Sequence, residues 1–132
     1  MKMKKIKPNS IEAVIYFSVY IAKQDGRFSD EEKSQLFTDL PIVKKLYLDF
    51  YGELIYEDLI ILCENFFKNY EIKKSFQQSK INKDEKLFIS SILTDPALRD
   101  IALLVARNVA AADGLQLKEQ IKYKYWYACW IK

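Results

Sequence analysis

The chain of 132 residues contains only three glycines, and two of them follow an aspartate in the same short motif. The motif reads Ala-Lys-Gln-Asp-Gly at 22–26 and Ala-Ala-Ala-Asp-Gly at 110–114. Glycine adopts positive φ at no steric cost but weakens helix interiors, so scarce glycines predict a largely helical chain with sharp turns at these positions. A glutamate lies six residues after each aspartate, at Glu31 and Glu119. The pattern predicts one helix-turn-helix unit used twice.

Capping residues and hydrophobic periodicity predict an all-α fold, a single bundle of about seven helices. Serine, asparagine or aspartate followed three residues later by glutamate is typical of a helix start, as is proline in the first helical turn. No alternating stretch competes as a strand. The predicted helices span Asn9 or Ser10 to Gly26, Ser29 to about Thr38, the stretch between Pro41 and Gly52, Glu53 to about Tyr70, Asn82 to about Leu93, Asp95 to Ala112 and Leu117 to about Lys132.

Small side chains recur every four residues on the helices that precede both Asp-Gly turns. Aligning the two aspartates pairs Val14 with Ala102 and Ser18 with Ala106. Small residues at this spacing let two helix backbones approach closely and cross. We therefore expect the first helix and the helix after Asp95 to pack together at the centre of the domain.

The distribution of charge separates a basic tail from the body of the chain. The formal net charge is +3, but four lysines lie within the first seven residues: Lys2, Lys4, Lys5 and Lys7. Without them the remaining charge is 3 − 4 = −1. The sequence therefore predicts a basic tail at 1–8 and a helical domain at 9–132. Because the domain is slightly acidic, it has no broad basic surface for nucleic acid.

Several kinds of chemistry are disfavoured by the residue types present. The chain has no histidine, which argues against Ser-His or Cys-His catalysis and histidine-ligated metals. Cys63 and Cys129 have no metal-binding spacing and lie in apolar helical stretches, so we expect two buried, reduced thiols. No apolar run reaches the roughly 18 to 20 residues that span a bilayer. These features predict a cytoplasmic protein that does not cross the membrane.

The repeated unit resembles the TerB-like tellurite-resistance domain, which also occurs at the N-terminus of certain membrane-anchored DnaJ-like co-chaperones. The matching segments are Tyr20-Ile-Ala-Lys-Gln-Asp-Gly-Arg-Phe-Ser-Asp-Glu-Glu32, Asp95-Pro-Ala-Leu-Arg-Asp100 and 110–119. The resemblance covers most of the chain, although the middle, about 40 to 80, contributes little beyond helicity. It implies a non-enzymatic domain of the stress response that binds protein partners, including complexes at the inner face of the membrane.

The resemblance also implies a divalent cation, Ca²⁺, Mg²⁺ or Zn²⁺, at the acidic turns. The residues that match are Asp25 and Glu32 in the first unit, and Asp113 and Glu119 in the second. Glu31 is a further oxygen ligand in the first loop, of the kind that Ca²⁺ and Mg²⁺ prefer. The second unit has Lys118 where the first has an acid, so it is the poorer cation site.

Three interpretations of these acids are open. They can bind a cation, or they can be purely structural, with Ser29 as an N-cap and Glu31 and Glu32 stabilising the positive end of a helix dipole. In the structural case the chain is a helical adaptor without an ion site. A third interpretation brings Asp25 and Asp113 together as the centre of a carboxylate- or metal-dependent hydrolase.

The C-terminal segment is rich in aromatic residues and offers a second candidate surface. On a helix, Leu117, Ile121, Tyr125 and Ala128 form the predicted core stripe. A second face then carries the candidate partner-binding residues, which are Tyr123, Trp126, Tyr127 and Trp130. Tyrosine and tryptophan are enriched at protein interfaces and at membrane surfaces, so this face is predicted to bind a partner. The structural alternative is a terminal helix packed deep in the bundle.

Overall fold

The computed structural model describes residues 6–24, 28–52, 58–78, 80–112, 114 and 117–131. Within these ranges every regular element is helical, which confirms the all-α class. The elements are α1 (Ile11–Ala22), α2 (Asp30–Tyr51), α3 (Leu59–Asn69), a 3₁₀ helix (Lys74–Phe76), α4 (Lys83–Ile92), α5 (Pro96–Ala111) and α6 (Leu117–Trp130). None of these helices combines the length and the hydropathy that a bilayer span requires.

The predicted helix starts are confirmed where a polar side chain caps the first turn. Ser29 and Glu32 form a reciprocal capping box at the start of α2, and Asn82 and Glu85 form another at the start of α4. In each box the side chain of one residue accepts a hydrogen bond from the backbone amide of the other, so two amides without helical partners are satisfied. The side chain of Asp95 likewise caps α5.

The prediction that Pro41 breaks the chain is wrong, because α2 continues through it and the described residues hold six α-helices rather than about seven. Proline removes one helical hydrogen bond, which frees the carbonyl of Phe37. Pro41 is exposed, so water can solvate that carbonyl. Leu36, Leu40 and Val43 are buried on both sides of the proline, and their shared packing keeps the two halves in line.

The helix predicted from Glu53 begins later, at Leu59. The side chain of Asp58 accepts hydrogen bonds from the amides of Ile60 (2.9 Å) and Ile61 (3.3 Å), which makes Asp58 the N-cap. A strong N-cap with extended backbone defines the helix start, and hydrophobic periodicity does not report it. Residues 53–57 lie outside the described part of the chain.

The expected central pair, α1 and α5, makes the most extensive contact between helices. Ser18, Ala102 and Ala106 are fully buried, as expected for helices in close approach. The two helices begin side by side, since Oδ1 of Asn9, just before α1, accepts hydrogen bonds from the amides of Thr94 (2.9 Å) and Asp95 (3.1 Å), just before α5. The predicted packing of these helices on each other is therefore confirmed.

Two of the three glycines have the positive φ that their scarcity predicted. Gly52 caps the end of α2 with φ 66°, and Gly114 follows α5 with φ 97°. The first Asp-Gly turn, at 25–27, and Asp113 lie outside the described residues. The internal repeat of the two turns therefore stays a prediction.

The two cysteines differ in their surroundings. Cys63 is fully buried on α3, and burial raises its thiol pKa to about 12. Cys129 is exposed on α6, so the expectation of two buried thiols is wrong for this residue. Both are free, and the face that α6 turns to solvent explains the exposure of Cys129.

Candidate functional site

The acidic residues predicted as cation ligands are spread over several environments. Asp25 and Asp113 lie outside the described residues, so the hydrolase interpretation also concerns residues that the structure does not describe. Glu31 is exposed in the first turn of α2. Glu32 and Glu119 are buried, with 2% and 1% of their surface exposed.

The geometry of Glu32 matches the structural interpretation. Its Oε1 accepts a hydrogen bond from the amide of Ser29 (2.9 Å), and its own amide donates to Oγ of Ser29 (3.1 Å). An oxygen held by a backbone amide is less available to a cation. Glu119 occupies the same third position of its helix, α6.

A shallow groove lies between the start of α2 and the end of α5. Its volume is about 410 Å³, and it is lined by Asp30, Glu31, Ser34, Gln35, Thr38 and Ala112. Ala112 directly precedes Asp113 in the chain, so the groove joins the first acidic unit to the start of the second. No group of three acidic, cysteine or histidine side chains able to hold a metal occurs among the described residues. The groove offers carboxylate, hydroxyl and amide oxygens to a cation.

The aromatic residues of α6 do not share one surface. Trp126 is buried and packs edge-on against Phe17 at 6.4 Å between ring centroids. Trp130 is half-buried and lies 5.0 Å from Trp126, as their helical spacing predicted. Tyr123 is half-buried, whereas Tyr127 has 47% of its surface exposed. The candidate partner face is therefore reduced to its outer members.

The predicted core stripe of α6 is wrong, because it points to solvent. Leu117 is 71% exposed, Ile121 and Ala128 are also exposed, and Tyr125 is half-buried. The buried residues of this helix are Glu119, Lys122 and Trp126. The core face of α6 thus carries a lysine, whereas the predicted stripe placed Leu117 and Ile121 there. A buried ammonium group is costly unless it is paired, so Lys122 needs a specific partner in the core.

That partner is Glu85, the capping residue of α4. Nζ of Lys122 forms an ion pair with Oε2 of Glu85, and both side chains are fully buried. The same ammonium donates a hydrogen bond to the carbonyl of Phe76 (3.2 Å). Breaking a buried ion pair strands a charge at high cost, so this pair, together with the buried ring of Trp126, favours burial of this face of α6.

Tyr20 and Trp126 complete the buried polar network. The Tyr20 hydroxyl donates to Oε2 of Glu85 and accepts a hydrogen bond from Nε1 of Trp126 (3.1 Å). Nε2 of Gln24 donates to the carbonyl of Tyr20 (2.8 Å) and to that of Phe76 (2.9 Å). The network links α1, the 3₁₀ helix, α4 and α6.

Burial sets the protonation behaviour of this network. It raises the pKa of Tyr20, and the hydrogen bond to Glu85 raises it further, so the hydroxyl remains a donor at neutral pH. Burial lowers the pKa of Lys122, and the attraction of Glu85 opposes that change. With no exposed surface on Glu85 or Lys122, the pair is structural.

The local sequence makes only one of the two charged residues of this network, Glu85, recognisable. The capping box of Asn82 and Glu85 is recognisable, because its two members are three residues apart. Lys122 lies between Ile121 and Tyr123 and resembles any lysine on the surface of a helix. Its partner is distant in the chain, so spacing could not reveal the pair.

A cavity of about 530 Å³ is lined in part by Phe76 of the 3₁₀ helix. This volume is in the range of ligand pockets, about 300 to 1,000 Å³. Most of its wall is apolar or aromatic, contributed by Ile6, Pro8, Tyr16, Tyr70, Phe76, Phe88 and Ile92. Ile6 and Pro8 belong to the predicted tail, so the described part of that tail packs against the domain.

Ring contacts between three elements form the cavity wall. Tyr16 of α1 lies edge-on to Phe88 of α4, with 5.0 Å between ring centroids. Phe76 of the 3₁₀ helix lies 6.1 Å from Phe88. The carbonyl of Phe76 also accepts the hydrogen bond from Lys122, so the buried network positions one wall of the cavity.

The polar residues that line the cavity are exposed to solvent. They are Glu71, Lys73 and Ser91. The ammonium of Lys73 lies 5.5 Å from the ring centroid of Phe76, a cation–π contact with the wall. Oγ of Ser91 donates to the carbonyl of Phe88 (2.6 Å), so this hydroxyl is not held by a base. The sequence reasoning missed the cavity because its lining residues come from four separate segments.

Comparison with models of protein families gives no match, and comparison with curated proteins and with solved structures likewise gives none. The resemblance to the TerB-like domain therefore depends on the quoted sequence segments alone. Function has to be inferred from the sites of this molecule.

Proposed function

We propose that the chain is a non-enzymatic binding domain of the TerB-like kind, and that its ligand occupies the aromatic cavity. The observation that carries this proposal is the cavity of about 530 Å³ between α1, the 3₁₀ helix and α4. A concave, mostly apolar pocket with a few polar groups is the usual form of a small-molecule site.

The chemistry of the cavity favours binding over catalysis. The chain has no histidine, and Ser91 donates its hydroxyl proton to a backbone carbonyl. A nucleophile needs a neighbouring base to become reactive at neutral pH. The aromatic side chains supply contact area rather than proton transfer, as expected for a site that retains its ligand.

Binding of a neutral alkyl probe tests this function. We expect isothermal titration calorimetry to detect decanol binding to the full chain with a negative heat-capacity change, because apolar surface is buried. Ser91→Trp places a large ring at the mouth and should reduce the affinity at least about ten-fold. Leu87→Trp is the matched control, since Leu87 is exposed on the same helix and does not line the cavity.

The outcome that contradicts the proposal is equally definite. If decanol gives no saturable heat with the wild-type protein, the cavity is not a binding site for apolar ligands. Equal affinities of the wild type and Ser91→Trp would place the probe elsewhere on the molecule. Circular dichroism of both tryptophan variants controls for unfolding.

A second candidate function is cation binding at the groove between α2 and α5. The specific observation in its favour is that Asp30 and Glu31 line this groove together with Ala112, the residue before Asp113. The last carbonyls of a helix carry partial negative charge, so the end of α5 also favours a cation. Cation binding at these acidic turns would agree with the TerB-like resemblance.

Thermal unfolding in the presence of cations tests the second candidate. Millimolar Ca²⁺, Mg²⁺ or Zn²⁺ should raise the Tm of the wild type, because a ligand that binds only the folded state stabilises it. The double substitution Asp30→Asn and Glu31→Gln, or Asp25→Asn alone, should abolish the increase. Glu64→Gln on the exposed face of α3 is the control. An unchanged Tm in all three cations would rule this candidate out.

The wider biological role follows from the resemblance and from the outer aromatic residues of α6. We propose that Tyr127, with Tyr123 and Trp130 beside it, contacts a protein partner of the stress response. A partner complex at the cytoplasmic face of the membrane would suit a TerB-like domain. Tyr127→Ala should weaken capture of such a complex, whereas Trp126→Phe, which alters a buried ring, serves to separate loss of the surface from loss of the core.

A further inference from the structure

We infer that the ligand of the aromatic cavity is a single-chain amphiphile with an anionic head group, a medium-chain carboxylate, whose head group is bound by Lys73. This inference rests on the proposed function of the cavity and adds the chemical class of its ligand. Its basis is the position of one ammonium group against an otherwise apolar wall.

The interior of the cavity selects an apolar body. Tyr16, Phe76 and Phe88 provide ring faces and edges, and Ile6 and Ile92 add aliphatic surface. An alkyl chain transferred from water to such surroundings gains about 0.8 kcal/mol for each buried methylene group. A polar molecule would lose its hydration here without an equivalent number of hydrogen bonds in return.

The mouth of the cavity favours a ligand with a charged head group. Lys73 is exposed and forms no ion pair with any described carboxylate, while its ammonium lies over the Phe76 ring at 5.5 Å. Phe76 belongs to the cavity wall, so the cation is held where a chain inside the cavity would end. A carboxylate at that point would make a charge-assisted hydrogen bond with the ammonium.

Charged residues of both signs lie around the mouth. Lys7 lies between the lining residues Ile6 and Pro8 in the sequence, and Lys73 lines the cavity itself. Glu71 also lines the cavity, and Glu12 lies beside Tyr70. Of these four residues, Lys73 is the one whose charged group is held over a ring of the cavity wall, so the preference for an anion depends on Lys73.

Three probes with the same chain and different head groups test the inference. Decanoate, decanol and decylammonium are titrated below their micelle concentrations into the full chain and followed by calorimetry. We expect decanoate to bind about three- to five-fold more tightly than decanol, as an exposed ion pair would provide, and decylammonium to bind most weakly. The difference between decanoate and decanol should shrink at high salt, because exposed charges are screened.

A matched pair of lysine variants locates the head group. Lys73→Gln should remove the preference for decanoate, so that decanoate and decanol bind the variant with similar affinity. Lys74→Gln is the control, because it removes the same charge from the adjacent residue, which does not line the cavity. Both lysines are exposed, so neither substitution should disturb the fold.

The failures of the two proposals can be told apart. Binding of decanol without any preference for decanoate would overturn the anionic head group and leave the cavity as a binding site. The same holds if Lys73→Gln and Lys74→Gln reduce decanoate binding equally. If none of the three probes binds, the proposed function itself is overturned.

Discussion

Helices α1 and α6 both carry many apolar and aromatic residues, but hydrophobicity explains the pattern of burial only in α1. Every residue of α1 except Glu12 is buried. In α6 the buried residues are Glu119, Lys122 and Trp126, while Leu117 is exposed. A helix that is apolar all round is surrounded by the core and has no face to select. A helix with mixed residues can be oriented by a single buried charge pair.

The energetic asymmetry of buried charges explains the difference. Exposing Leu117 forgoes part of the roughly 1.5 to 3 kcal/mol that burying its side chain would provide. Leaving Glu85 buried without Lys122 would cost about 3–5 kcal/mol. The pair therefore outweighs the exposed leucine, and α6 turns Lys122 inwards.

Replacing Lys122 is expected to have the largest effect among the variants that test the difference between α1 and α6. Lys122→Met leaves the Glu85 carboxylate buried without its cation and should reduce the free energy of unfolding by about 3–5 kcal/mol. Urea unfolding followed by circular dichroism measures the change. Lys124→Met on the exposed face of the same helix is the control and should alter it by less than about 0.5 kcal/mol.

The double variant sharpens that result. Glu85→Gln retains a side chain that can form the capping box but removes the charge. Adding it to Lys122→Met should restore part of the lost stability, so the two changes should not be additive. Equal effects of Lys122→Met and Lys124→Met would mean that α6 does not bury the face that carries Lys122.

Tyr20 links the two helices, so its hydroxyl is the next contact to remove. Tyr20→Phe deletes the donor to Glu85 and the acceptor of the Trp126 indole, and should cost about 1–3 kcal/mol because both are buried. Chemical denaturation measures this cost. Tyr127→Phe removes a hydroxyl from an exposed ring and should be nearly neutral; a comparable loss there would contradict the network.

The buried tyrosines of α1 also predict a dependence on pH. Burial raises the pKa of Tyr16 and Tyr20 above the ordinary value of 10.0. Above pH 10 the unfolded chain loses these protons while the folded chain keeps them, so the free energy of unfolding should fall as the pH rises. Tyr16→Phe should make that fall less steep. Denaturation at pH 7 gives the baseline of each protein, and identical slopes would contradict the prediction.

The smallest effects are expected on the outer face of α6. Leu117→Gln and Ile121→Gln exchange exposed side chains and should change the free energy of unfolding by less than about 0.5 kcal/mol. Ile15→Ala in α1 is the contrasting control, because it creates a cavity in the core and should cost about 2–5 kcal/mol. A large loss with Ile121→Gln would favour the face predicted from hydrophobicity.

Sequence reasoning succeeded where the signal was local. Ser29, Asn82 and Asp95 cap their helices because each side chain reaches an amide two or three residues ahead. It failed at Pro41, where the packing of Leu36, Leu40 and Val43 keeps the helix continuous against a local preference. Of the predicted site residues, Glu32 was recognisable as both a ligand and a cap, and its hydrogen bonds to Ser29 match the cap.

The candidate cavity could not be predicted from patterns in the sequence. Ile6, Tyr16, Phe76 and Phe88 each resemble ordinary core residues, and nothing in their spacing indicates a shared space. A cavity is a place where packing is incomplete, and incomplete packing depends on the relative positions of whole elements. The position of Lys73 beside the cavity has the same origin.

The sequence alone determined the helical class, the capped starts of α2, α4 and α5 and the central pairing of α1 with α5, because these depend on neighbours a few residues apart and on small side chains in a regular repeat. Only the tertiary structure decided the orientation of α6 and the existence of the cavity. Lys122 meets Glu85, and Phe76 meets Phe88, across distances in the chain that no local pattern spans. Burial of a charge depends on its partner, and that partner is known only when the chain is folded.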